Sequence, residues 1–380
     1  MVDLHAVRAF LEPRHLERAR ALASACHERI APLAEPPNDD AARRQARELL
    51  AVLGGEWFAP IGEQDLRLCA IERELLAAAS PLADAVFALQ ALGGMPLVLA
   101  GSEAQRRRWL MPAVEGTLMA AFAMTEPEAG SDVAAMGTTA RRDGDGYVVS
   151  GQKTFISNAG IADFYVVFAS TDAGAGRRGI SCFVVPADAK GFRFVAPQVM
   201  SAPHPLGEIA FDECRVPADH RVGAEGEGYR LGLATLDRLR PTVAAAACGM
   251  ASRALAEALT HARSRRQFGR PIGGFQLVQE KLARMATDLT AARLLAYRAA
   301  WERDHGAERI TVEAAMAKAF ATEAAQRIVD DAVQILGGRG VLADHPVDRL
   351  YRSVRALRIY EGTTEIQHLI IAGALLEEPT

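Results

Sequence analysis

The stretch Arg358-Ile359-Tyr360-Glu361-Gly362-Thr363-Thr364-Glu365-Ile366-Gln367 sets one carboxylate between an aromatic residue and a glycine, immediately ahead of a predicted helix start. A carboxylate confined in an apolar pocket loses the hydration that stabilises its charge. Its pKa therefore rises toward the range in which it removes a proton at neutral pH. Glu361 is on this ground the candidate catalytic base. Alone, the stretch reads more readily as a solvated loop glutamate ahead of a threonine helix cap, since loop charges are usually hydrated and Thr caps helices well. The motifs elsewhere in the chain decide between the two.

The chain that must position this carboxylate has 380 residues, 50% hydrophobic and 24% charged, enough to bury large cores in two or three domains. Its net charge of −4 and the shortness of its basic runs, Arg106-Arg107-Arg108 and Arg265-Arg266, argue against a nucleic-acid partner. Cys26, Cys69, Cys182, Cys214 and Cys248 lie far apart, without the spacing of a disulfide frame or a metal site. A reducing cytoplasm and no metal are expected. No basic-then-apolar leader is read at the N-terminus and no apolar run is read as reaching the roughly 18 residues of a membrane span, so no membrane association is expected. Residues 369–376 read as core helix.

Three textures follow one another. Residues 1–117 are rich in Ala, Leu, Arg and Glu and poor in β-branched residues, with breaks at Pro36-Pro37, Gly54-Gly55, Pro60 and Gly93-Gly94, the pattern of a helical domain. In residues 118–221, Asp143-Gly144-Asp145-Gly146 predicts a tight hairpin turn between Thr138-Thr139-Ala140 and Tyr147-Val148-Val149. Residues 164–168 and 182–185 read as further strands of this β domain. Residues 222–380 return to helices. No Gly or Pro falls between Gln276 and Asp304, where Val278, Leu282, Met285, Leu289, Ala292 and Ala296 recur at steps of four and three, marking an inward face. A second unbroken stretch covers residues 307–336.

Within the β block, Phe122-Ala123-Met124-Thr125-Glu126-Pro127-Glu128-Ala129-Gly130-Ser131-Asp132 carries a hydroxyl, several backbone amides and a glycine, and alone fits a Pro/Gly turn between strands. With the order of the three blocks, this segment resembles the acyl-CoA dehydrogenase family of flavoenzymes, and the resemblance covers nearly the whole chain. It implies an α+β fold with an N-terminal helical domain, a middle β-barrel-like domain and a C-terminal four-helix bundle. It implies FAD as cofactor, with Phe122, Met124, Thr125 and Ser131 at the flavin and Ser131 also near the pantetheine. Gly151-Gln152-Lys153-Thr154-Phe155-Ile156-Ser157-Asn158 resembles the family's second flavin segment, in which Phe155 covers the ring and Ser157 reaches N5. Phe where the family often has Trp keeps the apolar cover and loses an indole donor.

Arg265-Arg266-Gln267-Phe268-Gly269 resembles the diphosphate-binding stretch, with Arg265, Gln267 and Phe268 at the phosphates and Gln276 as a nucleotide contact; a guanidinium donates two hydrogen bonds at once to phosphate. Gln334-Ile335-Leu336-Gly337-Gly338-Arg339-Gly340 resembles the loop that reaches the FAD of a neighbouring subunit, with Gln334, Gly337 and Gly338 as contacts, although such a loop is also an ordinary helix C-cap. These glycines belong to no strand-turn-helix unit, which excludes a Rossmann site. Thr363 and Glu365 complete the expected FAD contacts. A homotetramer or homodimer follows from a shared site.

By the same resemblance Glu361 removes the α-proton of an acyl thioester while the β-hydrogen leaves as hydride to flavin N5, giving a trans-2-enoyl thioester. The Glu361 backbone N–H and a ribityl hydroxyl would stabilise the enolate oxygen. Some family members carry the base at the position of Leu239, which accepts no proton. Asp237 and Arg240 match a substrate-binding pair, though Asp and Arg three apart on a helix also form ordinary surface ion pairs. Tyr360, Gly362, Phe87 and Ala88 are expected around the acyl group. Acyl-CoA and an electron-transferring flavoprotein are the implied partners. The loop Ser201-Ala202-Pro203-His204-Pro205-Leu206-Gly207 departs from the family, with His204 placed to meet an anion or sit in solvent. That leaves a carrier-protein thioester open beside CoA. An oxygen-using oxidase and a DNA-associated flavoprotein without dehydrogenase activity are the other readings; the second is expected to end in a basic region, whereas this chain ends Glu377-Glu378-Pro379-Thr380.

Overall fold

A computed structural model describes residues 2–376; the acidic tetrapeptide 377–380 lies outside them. The fold is α+β, helical at both ends with a sheet between. It divides into two compact units that each draw on separate chain segments.

The sheet unit comprises Glu35–Gln64 and Ala85–Leu236. Its strands are β1 (Ala120–Ala123), β2 (Thr139–Asp143), β3 (Gly146–Ser157), β4 (Phe164–Ser170), β5 (Ile180–Pro186), β6 (Phe192–Pro197), β7 (Leu206–Pro217) and β8 (Arg221–Val222). They form one sheet in the order β6-β7-β3-β2-β4-β5-β8, with β1 pairing parallel to β4. The Asp-Gly signal is met: β2 and β3 pair antiparallel with Asp143 opposite Gly146, and Gly144 turns at φ 60°. Every residue of β4 is buried, which explains its unbroken apolar run. The helix Asp39–Leu53 is tied to loops of this sheet by two arginines. Arg43 donates to Ala159 O and Leu206 O, and Arg47 binds Asp163.

The helical unit comprises residues up to Ala34, Asp65–Asp84 and those from Asp237 onward. The helix Gln276–Asp304 has the bounds its sequence predicts. Met285, Leu289, Ala292 and Ala296 are buried, whereas Val278 and Leu282, nearer its start, are only half-buried. The second expected stretch begins later than residue 307: the helix is Thr311–Leu336, because Arg303 takes the carbonyls of Ala307 and Glu308 and holds that segment as a turn. Small residues let these helices approach closely. A Cβ added at Gly249 would meet Glu74 O at 2.1 Å. Glu74 in turn accepts from Arg293 Nε at 2.6 Å and Tyr297 Oη at 2.8 Å, a buried carboxylate with both oxygens bonded.

Two expectations are overturned. Residues 369–376, read as core, end the helix Thr364–Leu376 with Leu369, Leu375 and Leu376 exposed, the last at 83%. An apolar composition marks a surface to be covered and does not say by what. The helix Pro81–Ala100 is also long and apolar enough to cross a membrane, contrary to the reading that no such run exists, yet 89% of its most apolar window is buried in protein. A buried core helix satisfies the same length and composition as a span.

Candidate functional site

In the helical unit, Glu361 sits in the left-handed region at φ 55° and Gly362 follows at φ 91°. This is an uncommon conformation for a residue with a side chain, and it persists where surroundings over-determine it. Here the surroundings are hydrogen-bond donors. Arg240 Nε donates to Glu361 O at 3.0 Å, Lys318 Nζ to Gly362 O at 2.7 Å, and Gln367 Nε2 to both carbonyls at 3.3 and 3.0 Å. Thr363 caps the next helix, its Oγ1 accepting from Ile366 N. Below the loop, Glu323 Oε1 accepts from Arg358 Nε and Thr364 Oγ1.

Burial and nearby charges act on Glu361 together. Burial pushes its carboxyl pKa above the ordinary value, while the charges of Arg73, Arg240 and Lys318 pull it down and Asp84 pushes it up. The net direction is upward, because loss of hydration outweighs three cations that do not bond to the carboxylate. The residue is half-buried overall, but Oε2 is enclosed and bonded to no described residue. A proton acceptor is thus held ready with a free lone pair.

The expected pair Asp237 and Arg240 is formed, with Nη1 to Oδ1 at 2.7 Å, and it is not a surface pair: the Arg240 side chain is 5% exposed. Arg240 spends its remaining reach on the Glu361 carbonyl, so it acts on the base-bearing loop. Leu239 is buried. Tyr360 is exposed as a residue, yet burial of its hydroxyl raises its pKa, with the Arg73 charge opposing. Arg265, Gln267, Gln276, Gln334, Gly337, Gly338 and Glu365 are all exposed. Phe268 is 94% exposed at φ 49°, at the tip of a hairpin of β9 (Arg266–Gln267) and β10 (Arg270–Pro271).

In the sheet unit, the two expected flavin segments lie side by side, since Thr154 N donates to Thr125 O at 3.0 Å. Phe155 is 63% exposed at φ 55°, and its N–H is held by Gln198 Oε1 at 2.8 Å. Phe122 packs on Phe168, Met124 is buried, Ser131 is exposed, and Phe87 stacks on Phe58 with Ala88 buried beside it in sequence. Behind these segments a buried Lys153 donates to Met124 O at 3.1 Å and Glu126 Oε1 at 2.7 Å. Glu126 also accepts from Gly137 N and Thr138 N. Sequence reading missed Lys153, Glu126 and Gln198 as supports. Their signal was a Lys and a Glu inside apolar strand-like motifs, where a charge must find a partner.

His204 is half-buried beside Ser157 instead of lying in open solvent. Its Nε2 lies 2.7 Å from Ser157 Oγ, and burial lowers its pKa to about 4, so the ring is neutral at pH 7. Its cause includes the nearby Arg43 charge, which Asp39 opposes.

These residues fit FAD. An open aromatic face at Phe155 beside the Thr125 backbone suits a flat heterocycle, and the exposed Arg265 and Gln267 suit a diphosphate, each left uncovered by the described chain.

Comparison with known proteins agrees. Residues 121–214 match the family "Acyl-CoA dehydrogenase, middle domain" and residues 226–376 match "Acyl-CoA dehydrogenase, C-terminal domain". The chain is 44% identical over 286 residues to a 3-(aryl)acrylate reductase of Clostridium sporogenes, covering 75% of this chain and 76% of that protein. It is 42% identical over 284 residues to a short-chain specific acyl-CoA dehydrogenase of Megasphaera elsdenii, covering 74% of each. A solved structure described as the electron transferring flavoprotein of Acidaminococcus fermentans superposes with a TM-score of 0.89 at 34% identity, over 97% of this chain and 99% of that one.

Proposed function

This chain belongs to the acyl-CoA dehydrogenase family, FAD-dependent oxidoreductases acting on CH–CH donors, and from that membership we propose that Glu361 is the base of an α,β-dehydrogenation of an acyl thioester. The observation that carries the assignment is the enclosed Oε2 of Glu361, bonded to no described residue and held by a left-handed loop whose carbonyls are saturated with donors. FAD, when bound, supplies the acceptor that takes the β-hydrogen as hydride at N5. The protein's own part is proton transfer and positioning. Glu361 Oε2 takes the α-proton, and the Glu361 N–H donates to the thioester carbonyl, where negative charge develops. Arg240, Lys318 and Gln367 keep that N–H and that carboxylate in register by pinning the loop.

In this reading Phe155 covers the flavin ring, Thr125 and Ser157 meet its polar edge, and Arg265, Gln267 and Phe268 meet the diphosphate. Gln334, Gly337 and Gly338 serve the cofactor of a second copy, and the exposed Leu369, Leu375 and Leu376 support an oligomer, a homotetramer or homodimer. Acyl-CoA is the proposed substrate and an electron-transferring flavoprotein the proposed acceptor, supported by the likeness to the Acidaminococcus fermentans structure. Five buried free cysteines support a reducing, cytoplasmic setting.

The test is anaerobic stopped-flow reduction of the flavin by a panel of acyl-CoAs and matched carrier-protein thioesters. Glu361→Gln keeps the shape and the N–H and loses the proton acceptor, so reduction should slow by about 100-fold to 10,000-fold with FAD retained. Reduction at the parent rate would remove Glu361 from the chemistry.

A further inference from the structure

Three buried cations act on the Glu361 carboxylate, and each is committed to another acceptor. Arg240 is held by Asp237 and the Glu361 carbonyl, and Lys318 by the Gly362 carbonyl. Arg73, on the helix Leu66–Ala79, is held by Asp84: Nε to Oδ1 at 2.7 Å and Nη2 to Oδ2 at 2.9 Å, with Nη1 donating to Thr242 Oγ1 at 3.1 Å. Arg73 is 1% exposed and Asp84 2%. The first two cations have an evident task, since they pin the base-bearing loop. Arg73 and Asp84 make no hydrogen bond to the backbone of that loop among the described residues.

A buried ion pair is weak evidence for stability, because desolvating both charges offsets most of their attraction. Its value has to be sought in what it does to its neighbours. Arg73 is the largest charge acting on Glu361, and Asp84 acts on the same carboxylate with opposite sign. Released from Asp84, that guanidinium would be available to pair with the carboxylate, as arginine does with carboxylates generally. That would turn the base into one half of a salt bridge, with its lone pairs spent.

We propose that Asp84 is a positioning residue for the dehydrogenation: it sequesters the Arg73 guanidinium, so that Glu361 works as a free base in a cationic enclosure instead of as the partner of a salt bridge. The idea rests on the reading of Glu361 as the base. The other charged groups near that carboxylate are accounted for. Asp237 faces Arg240, Glu323 is engaged by Arg358 and Thr364, Glu365 lies exposed on the next helix, and the Tyr360 hydroxyl has its pKa raised by burial, with the Arg73 charge opposing.

The experiment uses FAD-loaded Asp84→Asn, Arg73→Gln and the double variant, with anaerobic flavin reduction by the best acyl-CoA followed from about pH 5 to 9 and normalised to bound flavin. In Asp84→Asn the freed Arg73 stabilises the Glu361 carboxylate. The acid limb of the rate profile then moves down by about 1 unit and the plateau falls by about 10-fold, the size expected when an arginine pairs with a carboxylate. In Arg73→Gln the unpaired Asp84 repels Glu361, and the limb moves up. The double variant returns it to near the parent position. A purely structural pair predicts no such opposite displacement. If both single variants move the limb the same way, or neither moves it, the proposal is overturned. Should Asp84→Asn fail to hold FAD, Asp84→Glu and the double variant decide: parent-like limbs in both support sequestration, and a displaced limb in the double variant overturns it. The base assignment fails separately, through an active Glu361→Gln.

Discussion

Glu361 and Phe268 are both non-glycine residues of the helical unit with left-handed backbones, at φ 55° and 49°, and the protein treats them oppositely. Around Glu361, four hydrogen bonds from Arg240, Lys318 and Gln367 saturate two successive carbonyls. Around Phe268 the support is the two-residue β9–β10 ladder, a bond from Arg266 Nη2 to Gly269 O and an edge contact with Phe275, and the ring is left in solvent. Strained backbone persists only where something over-determines it. The first site carries its own determinants and is organised before any ligand arrives. The second has few, so its order falls to whatever covers it, which under the proposed function is the cofactor diphosphate and a second subunit.

The largest test of this contrast is Arg240→Met. It removes a loop donor and leaves Asp237 without its cation, so unfolding stability should fall by about 3 kcal/mol in denaturant titration. Flavin reduction should slow as the loop loosens. A stability unchanged within error would mean that Lys318 and Gln367 hold the loop alone. Gly362→Ala comes next. At φ 91° a Cβ would meet Gln367 Nε2 at 2.6 Å, and the cost should be about 1–3 kcal/mol, read as a lower melting temperature. Phe268→Ala and Arg265→Ala should do the reverse. The FAD-free protein should keep its stability within about 0.5 kcal/mol, as for surface changes generally, while fluorescence titration shows weaker FAD binding. Equal FAD affinity would move the phosphate site elsewhere.

The smallest effect concerns His204. Its folded pKa of about 4 lies below the ordinary value of 6.5, so the unfolded chain binds the extra proton first. Its contribution to stability is therefore full above the ordinary value and is lost as pH falls from there toward about 4. Across roughly pH 6.5 to 8 the ring should stay neutral and the flavin absorbance should not titrate. A spectral change with a midpoint near 6.5 that vanishes in His204→Gln would show the ring charging, against the lowered pKa.

Much of this was legible in the chain. The Asp-Gly turn at residues 143–146 is met because turn chemistry is local, and the Gln276–Asp304 helix because an unbroken apolar period needs no distant partner. Glu361 was legible as a residue in a telling local setting. Its charged surroundings were not, since the cations Arg73, Arg240 and Lys318 that act on it come from distant segments. Arg73 and Asp84 are 11 residues apart on two helices, and nothing in their spacing announces a buried pair that bears on a residue more than 200 positions later.

By itself the sequence determined the succession of helical, sheet and helical blocks, the turn at Gly144, and which residue types were on hand for proton transfer and phosphate binding. Those follow from local propensity and side-chain chemistry, which a linear string contains in full. Tertiary structure alone decided the charge environment of Glu361, the neutrality of His204 against Ser157, and the exposure of residues 369–376. Each depends on which groups exclude water from which others. Desolvation and Coulomb energy act through space, so a pKa or an uncovered leucine is settled only when distant segments meet.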